Sequence, residues 1–335
     1  MSMDSDLPLL LSLVFIVGGL FVLARSADMF VDASAAIAHR HGLSPLVVGM
    51  VVIGFGTSAP ELAVSAISGA AGHSNLSLGN AYGSCIFNIG AILGIAAMIR
   101  PVAVKPSVVR FAVPMLLAIT ALSYFMVSDG DFERSNGIVL LVAFAVLMPV
   151  YCWYDQKGTR PLAQADARQP SVASARGWLD WVRLVAGLAL LVLSSHLLVW
   201  GSVDFARDVL HVSDLLIGLT VVAAGTSLPE LASAIASSRK GESEFVIGNI
   251  VGSNLFNTLA VVGLAGTISP FDGFSRYVVL RDIPVMFAMT LTIALFGFNF
   301  RNRREPGRIS RMEGTAWVIS FLAYLVLMIC QEAGL

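Results

Sequence analysis

Charge is scarce in this sequence. Only 13% of its 335 residues are Asp, Glu, Lys or Arg, whereas 56% are hydrophobic, and the mean hydropathy is +0.81. So little charge excludes an ordinary soluble fold. Cysteine is rarer still, and Cys85, Cys152 and Cys330 match neither a disulfide framework nor a zinc site. No Ser/His/Asp set, metal-binding histidine pair or nucleotide loop lies in or near the hydrophobic stretches, so an enzyme would have no machinery here and no cofactor is expected. Residues 1–7 carry Asp4 and Asp6 but no Lys or Arg. They lack the basic start of a cleaved signal peptide, and the first apolar run is expected to remain as a helix.

What the chain has in plenty is long apolar runs separated by short polar breaks. A bilayer-spanning helix needs roughly 20 mainly apolar residues. On that basis spans are predicted near 8–24, 43–70, 76–99, 111–127, 137–154, 184–200, 212–238, 245–268, 283–300 and 314–330. The expected fold class is an all-α polytopic membrane protein with ten transmembrane helices. Membrane lipid is an expected partner; neither nucleic acid nor an obligate protein partner is expected.

Lys and Arg collect on the cytoplasmic side of membrane proteins. With ten spans, 17 of the 21 fall on one side, which puts both termini outside the cytoplasm of a multi-pass protein in a bacterial inner membrane. The polar stretch 155–177 reads as a cytoplasmic linker between halves 1–154 and 178–335, and its composition shows no sign of a core.

The two halves share a unit. Shifted by 169 residues, 44–101 aligns with 213–270 without a gap, and 25 of 58 positions are identical. GTSAPEL at 56–62 answers GTSLPEL at 225–231, and GNAYGSCIFN at 79–88 answers GNIVGSNLFN at 248–257. Such a duplication is an internal repeat. Five spans per half is an odd number, so the second copy enters the membrane in the opposite sense. Inverted repeats are a transporter architecture, with the substrate near mid-membrane where they meet.

Thr57, Ser58 and Glu61, and likewise Thr226, Ser227 and Glu230, fall within one helical turn, which places their oxygens on one face. Ser84 with Asn88, and Ser253 with Asn257, are four apart. Together they offer carboxylate, hydroxyl and amide oxygens but no sulfur or imidazole, a set for hard cations such as Ca2+ and Na+. Pro60 cannot donate to the carbonyl of Gly56, nor Pro229 to that of Gly225, and freed carbonyls add ligands. A lone intramembrane Glu can be a satisfied packing residue. Two at equivalent places in Pro-broken motifs, each costing roughly 3 kcal/mol to insert, point to a functional site. Gly79, Gly83, Gly94, Gly248, Gly252 and Gly263 are expected at close helix contacts, and Asp28, Asp32, His39 and His41 are read as solvated.

These paired motifs closely resemble the α-repeats of the cation/calcium exchanger superfamily, especially bacterial sodium/calcium exchangers, over nearly the whole chain outside the linker. The resemblance implies Ca2+ held between Glu61 and Glu230, with backbone carbonyls from Thr57 and Thr226. It implies Na+ sites around Ser58, Ser84, Ser227 and Ser253 with the carbonyls of Gly54 and Ala223, two residues before the glycines picked from the prolines, and it sets Asn88 and Asn257 in the middle. Some relatives carry Asp where this chain has Asn257, so the pocket is less acidic. Cys85 stands where the second repeat has Asn254, a difference read as affecting packing only. The nearest rival is a proton-coupled Ca2+ exchanger, which usually carries an acidic residue in the GN motif where GNAYGS has none. A passive cation channel would need rings of carbonyls or charges around a continuous pore, which an inverted glutamate pair does not suggest.

Overall fold

The computed structural model describes residues 3–72, 74–163, 177–208, 223–299, 302 and 305–332. Its helices are α1 Met3–His41, α2 Pro45–Thr57, α3 Ala59–Ala70, α4 Leu76–Ile99, α5 Val108–Val127, α6 Arg134–Ala163, α7 Gly177–Asp208, α8 Leu228–Lys240, α9 Ser243–Ile268, α10 Val278–Gly297 and α11 Arg311–Glu332. Among the described residues, eight helices are long and apolar enough to cross a bilayer, and the bent pair α2 and α3 passes the same test when taken together, as a broken span or a re-entrant loop would. Most of the first half of the seventh expected span, 212–222, lies outside the described residues. The remaining helix, α8, has 13 residues, about 20 Å of rise, too short to cross alone.

The first helix is much longer than the expected span 8–24. Nothing between residues 25 and 41 breaks a helix, and the chain turns only at Gly42, whose φ of +61° suits glycine. Asp28 and Asp32 therefore belong to α1 itself. They are half-exposed, as expected of solvated residues, but Lys240 at the end of α8 approaches Asp32 to 2.7 Å and Asp28 to 3.6 Å. The expected linker also begins late, because α6 continues to Ala163, and residues 164–176 lie outside the described residues.

Two short strand pairs join the halves. β1 (Val102–Val104) pairs antiparallel with β4 (Gly307–Ile309), and β2 (Asp131–Phe132) with β3 (Phe271–Asp272). β1 precedes α5 and β4 follows α10, whereas β2 follows α5 and β3 precedes α10, so α5 and α10 run in opposite directions.

One large apolar core draws on α2, α4, α5, α6, α8, α9, α10 and α11, and α9 is buried along its whole apolar length. No residue of α1 or α7 belongs to it. Those two pack on each other and join the rest through smaller clusters, around Phe30, Ile37 and Leu184 and around Leu23, Val31 and Leu191. The outward faces of α1 and α6 expose Val14, Val17, Phe21, Val142 and Val146, as lipid contact requires. The chain is a multi-pass membrane protein.

Four of the six expected glycines make close contacts among the described residues: Gly94, Gly248, Gly252 and Gly263. A Cβ on Gly248 would lie 2.5 Å from the Leu46 carbonyl oxygen, one on Gly252 2.4 Å from that of Met50, and one on Gly94 2.8 Å from Val318. A Cβ on Gly79 or Gly83 would meet no described atom of another helix within 4 Å. Their repeat-related partners would be residues 215 and 219, outside the described residues.

Candidate cation-binding site

The site forms where two broken helices meet. α2 ends at Thr57 and α3 starts at Ala59, with a bend of 45° between them. The break falls at Ser58, at φ −84° and ψ 8°, and Ser227 before α8 has φ −93° and ψ 9°. Both serines stand at N-cap positions with Pro in the first turn, yet neither hydroxyl caps its own helix. Each donates instead to the carboxylate of the other half: Ser58 Oγ to Glu230 Oε1 at 2.9 Å, and Ser227 Oγ to Glu61 Oε1 at 2.9 Å. The expected face carrying Thr57, Ser58 and Glu61 thus works as a crossed pair, each serine serving the glutamate of the other half.

Glu61 and Glu230 are fully buried, and in both the second carboxylate oxygen has no hydrogen-bond partner. Each sits in the first turn of a helix, where unpaired N–H groups and the dipole favour negative charge. Ser84 joins them, since Ser227 Oγ lies 3.3 Å from its hydroxyl. Asn88 and Asn257 open π-helical segments, Asn88–Leu93 and Asn257–Val261. The Asn88 Oδ1 and both amide atoms of Asn257 are buried without partners, as is Thr226 Oγ1. A buried polar atom left unpaired costs about 1–3 kcal/mol, so these atoms are candidate ligands for a bound cation. Among the described residues no three His, Cys, Asp or Glu side chains gather, so the two glutamates are the charge of this site.

The carbonyls divide. Gly54 O, at the end of a π-helical turn, accepts the Ser58 N–H at 3.1 Å and the Ser253 hydroxyl at 3.4 Å where α2 meets α9. The Thr57 hydroxyl donates to Ile53 O at 2.9 Å and also lies beside the Glu230 carboxylate. The expectation of a free carbonyl at Gly225 fails, since the Ser195 hydroxyl of α7 donates to it at 2.9 Å. Ala223 lies in the short turn Ala223–Gly225, and the segment before it lies outside the described residues.

Several participants escaped the sequence reading. Asn80 donates to the Glu61 carbonyl and the Ser65 hydroxyl, and Asn249 to the Glu230 carbonyl and the Ser233 hydroxyl. Their identity in the two GN motifs was the available signal. Ser195 had none, being one of three serines within a long apolar helix.

The fold and the site together define a polytopic membrane protein with a buried, paired-carboxylate pocket. The family described as sodium/calcium exchanger protein matches residues 11–153 and 179–330. The candidate antiporter CaxA of Alkalimonas amylolytica is 38% identical over 96% of this chain and 99% of its own length. Inner membrane protein YrbG of Escherichia coli is 35% identical over 95% and 97%. A structure of the sodium-calcium exchanger NCX_Mj, soaked with Na+ and Sr2+, superposes with a TM-score of 0.78 at 27% identity, covering 96% of this chain and 98% of its own. The chain belongs to the sodium/calcium exchanger family, a family of ion antiporters rather than of enzymes.

Proposed function

We propose that this protein exchanges Ca2+ for Na+ across the inner membrane by alternating access, through ten spans arranged as two inverted halves with both termini outside the cytoplasm. The observation that carries this reading is the crossed clasp: each serine at a helix break holds one oxygen of the opposite glutamate, and the other oxygen of each carboxylate is left buried and unpaired. Two carboxylates match the charge of one Ca2+ as substrate, and the Thr57 and Thr226 carbonyls complete an all-oxygen shell. Ser58, Ser84, Ser227 and Ser253, with Gly54 and Ala223, provide neutral oxygens around the same carboxylates, which suits monovalent Na+ displacing the divalent ion. The separate α1 and α7 pair supplies a unit able to shift against the core that holds the site.

An outward Na+ gradient without a pH gradient is expected to drive radiolabelled Ca2+ uptake into proteoliposomes. If more than two Na+ leave per Ca2+, net charge moves, worth about 2.3 kcal/mol per charge per 100 mV, so clamping the membrane potential changes the rate. Uptake driven by acid-loaded vesicles and indifferent to Na+ and to potential would select the proton-coupled reading instead. A passive channel would show Ca2+ flux with no counter-ion gradient at all.

Asn257 bears on a third ion. Its amide is buried with neither atom partnered, and it brings no charge. K+ is expected to be dispensable for exchange, and Asn257→Asp, nearly isosteric, is expected to alter ion selectivity more than folding by raising the pocket from two carboxylates to three. Wild-type vesicles that exchange only when K+ is supplied would overturn this.

A further inference from the structure

Asn254 lies buried on α9, between the backbone of α4 and the Asn88 side chain. Its Nδ2 donates to the Cys85 carbonyl at 3.3 Å, and its Oδ1 accepts from Asn88 Nδ2 at 2.9 Å. This relay has one possible direction. A backbone carbonyl only accepts, so the Asn254 amide must turn its nitrogen to Cys85 and its oxygen to Asn88. Asn88 must then answer with its nitrogen, and its oxygen is the atom left over. That oxygen is the buried, unpartnered Oδ1.

The first repeat has no counterpart of this relay. Cys85 occupies the equivalent place, and its thiol turns to the Asn254 carbonyl and the Thr258 hydroxyl, at 3.8 and 3.6 Å. It has no amide to pass on, and Asn257, the equivalent of Asn88, has the Cys85 thiol beside it but no amide partner. Two otherwise matching asparagines thus differ in kind: one is held by an amide with its oxygen free, the other by no such group.

From this directed chain we infer that Asn254 is a positioning residue for the cation site, locking Asn88 so that an amide oxygen, and never the amide N–H2, faces the bound cation. The inference rests on the reading of the pocket as a Ca2+ site. An N–H2 group turned inward would repel the cation, so the lock acts on affinity. Losing a residue that orients a ligand in this way typically costs 10–100-fold.

The test is a double-mutant cycle on Ca2+ uptake in proteoliposomes. Asn254→Leu, which keeps the number of side-chain heavy atoms and removes both hydrogen bonds, is expected to raise the KM for Ca2+ by about tenfold or more while the maximal rate stays near wild type, with a lower melting temperature from the buried groups left unpaired. Asn254→Ala carries the same expectation where Leu disturbs packing. Asn88→Ala is expected to raise KM as well, and adding either Asn254 change to Asn88→Ala is expected to raise it no further, because the lock then has nothing to hold. Effects of Asn254 that multiply on top of Asn88→Ala, or a lower melting temperature with KM unchanged, would mean a packing role and overturn the assignment. The reading beneath it fails separately: wild-type vesicles without Na+-driven Ca2+ uptake, or Glu61→Gln vesicles with full uptake, would remove the Ca2+ site and this inference with it.

Discussion

Glu61→Gln and Glu230→Gln are each expected to abolish Ca2+ exchange while leaving a folded protein in the membrane. Gln keeps the size of the side chain and an oxygen at the place of Oε1, so the hydroxyl of Ser227 or Ser58 still has an acceptor. What disappears is one of the two buried carboxylate charges that the proposed Ca2+ site relies on. Breaking a buried charged partnership from one side costs about 3–5 kcal/mol, on the order of 100-fold or more in affinity. Uptake of radiolabelled Ca2+ by proteoliposomes measures the loss, and a melting curve in detergent checks the fold. Exchange near the wild-type rate in either variant would remove the paired-carboxylate site.

The second large effect concerns packing. Gly252→Ala would place a Cβ 2.4 Å from the Met50 carbonyl oxygen and 2.7 Å from Met50 Cα. These are backbone atoms of α2, so no side chain can swing aside, and relief requires α2 and α9 to separate. Overpacking a tight contact costs about 1–3 kcal/mol or more, and here the upper end is expected as a clear drop in melting temperature. The site suffers too, because the same contact holds Gly54 O against Ser253. Exchange is therefore expected to fall even in the fraction that folds. Gly18→Ala is the control, for Gly18 is exposed on α1 with no atom within 4 Å of its missing Cβ. Equal melting of the two variants would show that the α2 and α9 contact is not under this constraint.

Much of the site was legible because it is written twice. Glu61 with Glu230, Ser58 with Ser227 and the tight glycines of α9 repeat at one offset, and a charge in an apolar run is costly enough to stand out. Asn80 and Asn249 were equally visible by that rule and were overlooked as part of the glycine motif. Asn254 could not be found in this way, because its counterpart is Cys85 and the pattern breaks where the relay begins. The extent of α1 was misjudged for a different reason. Asp28 and Asp32 look like a membrane exit, but charge alone does not end a helix, and past Arg25 the first Gly or Pro is Gly42.

By itself the sequence determined that this is a helical membrane protein, that it is built from a duplicated unit, and that a broken helix carries a glutamate in each copy. Composition, apolar period and the missing N–H of proline are local properties, readable along the chain. Only the tertiary structure decided that Ser58 serves Glu230 and Ser227 serves Glu61, that Ser195 takes the Gly225 carbonyl, and that Asn254 orients Asn88. Those partners are 30 to 172 residues apart. They meet because a 45° bend and glycine-tight helix contacts set the directions of side chains from different helices, and spacing along one helix specifies only which residues share a face, not which face of another helix they will meet.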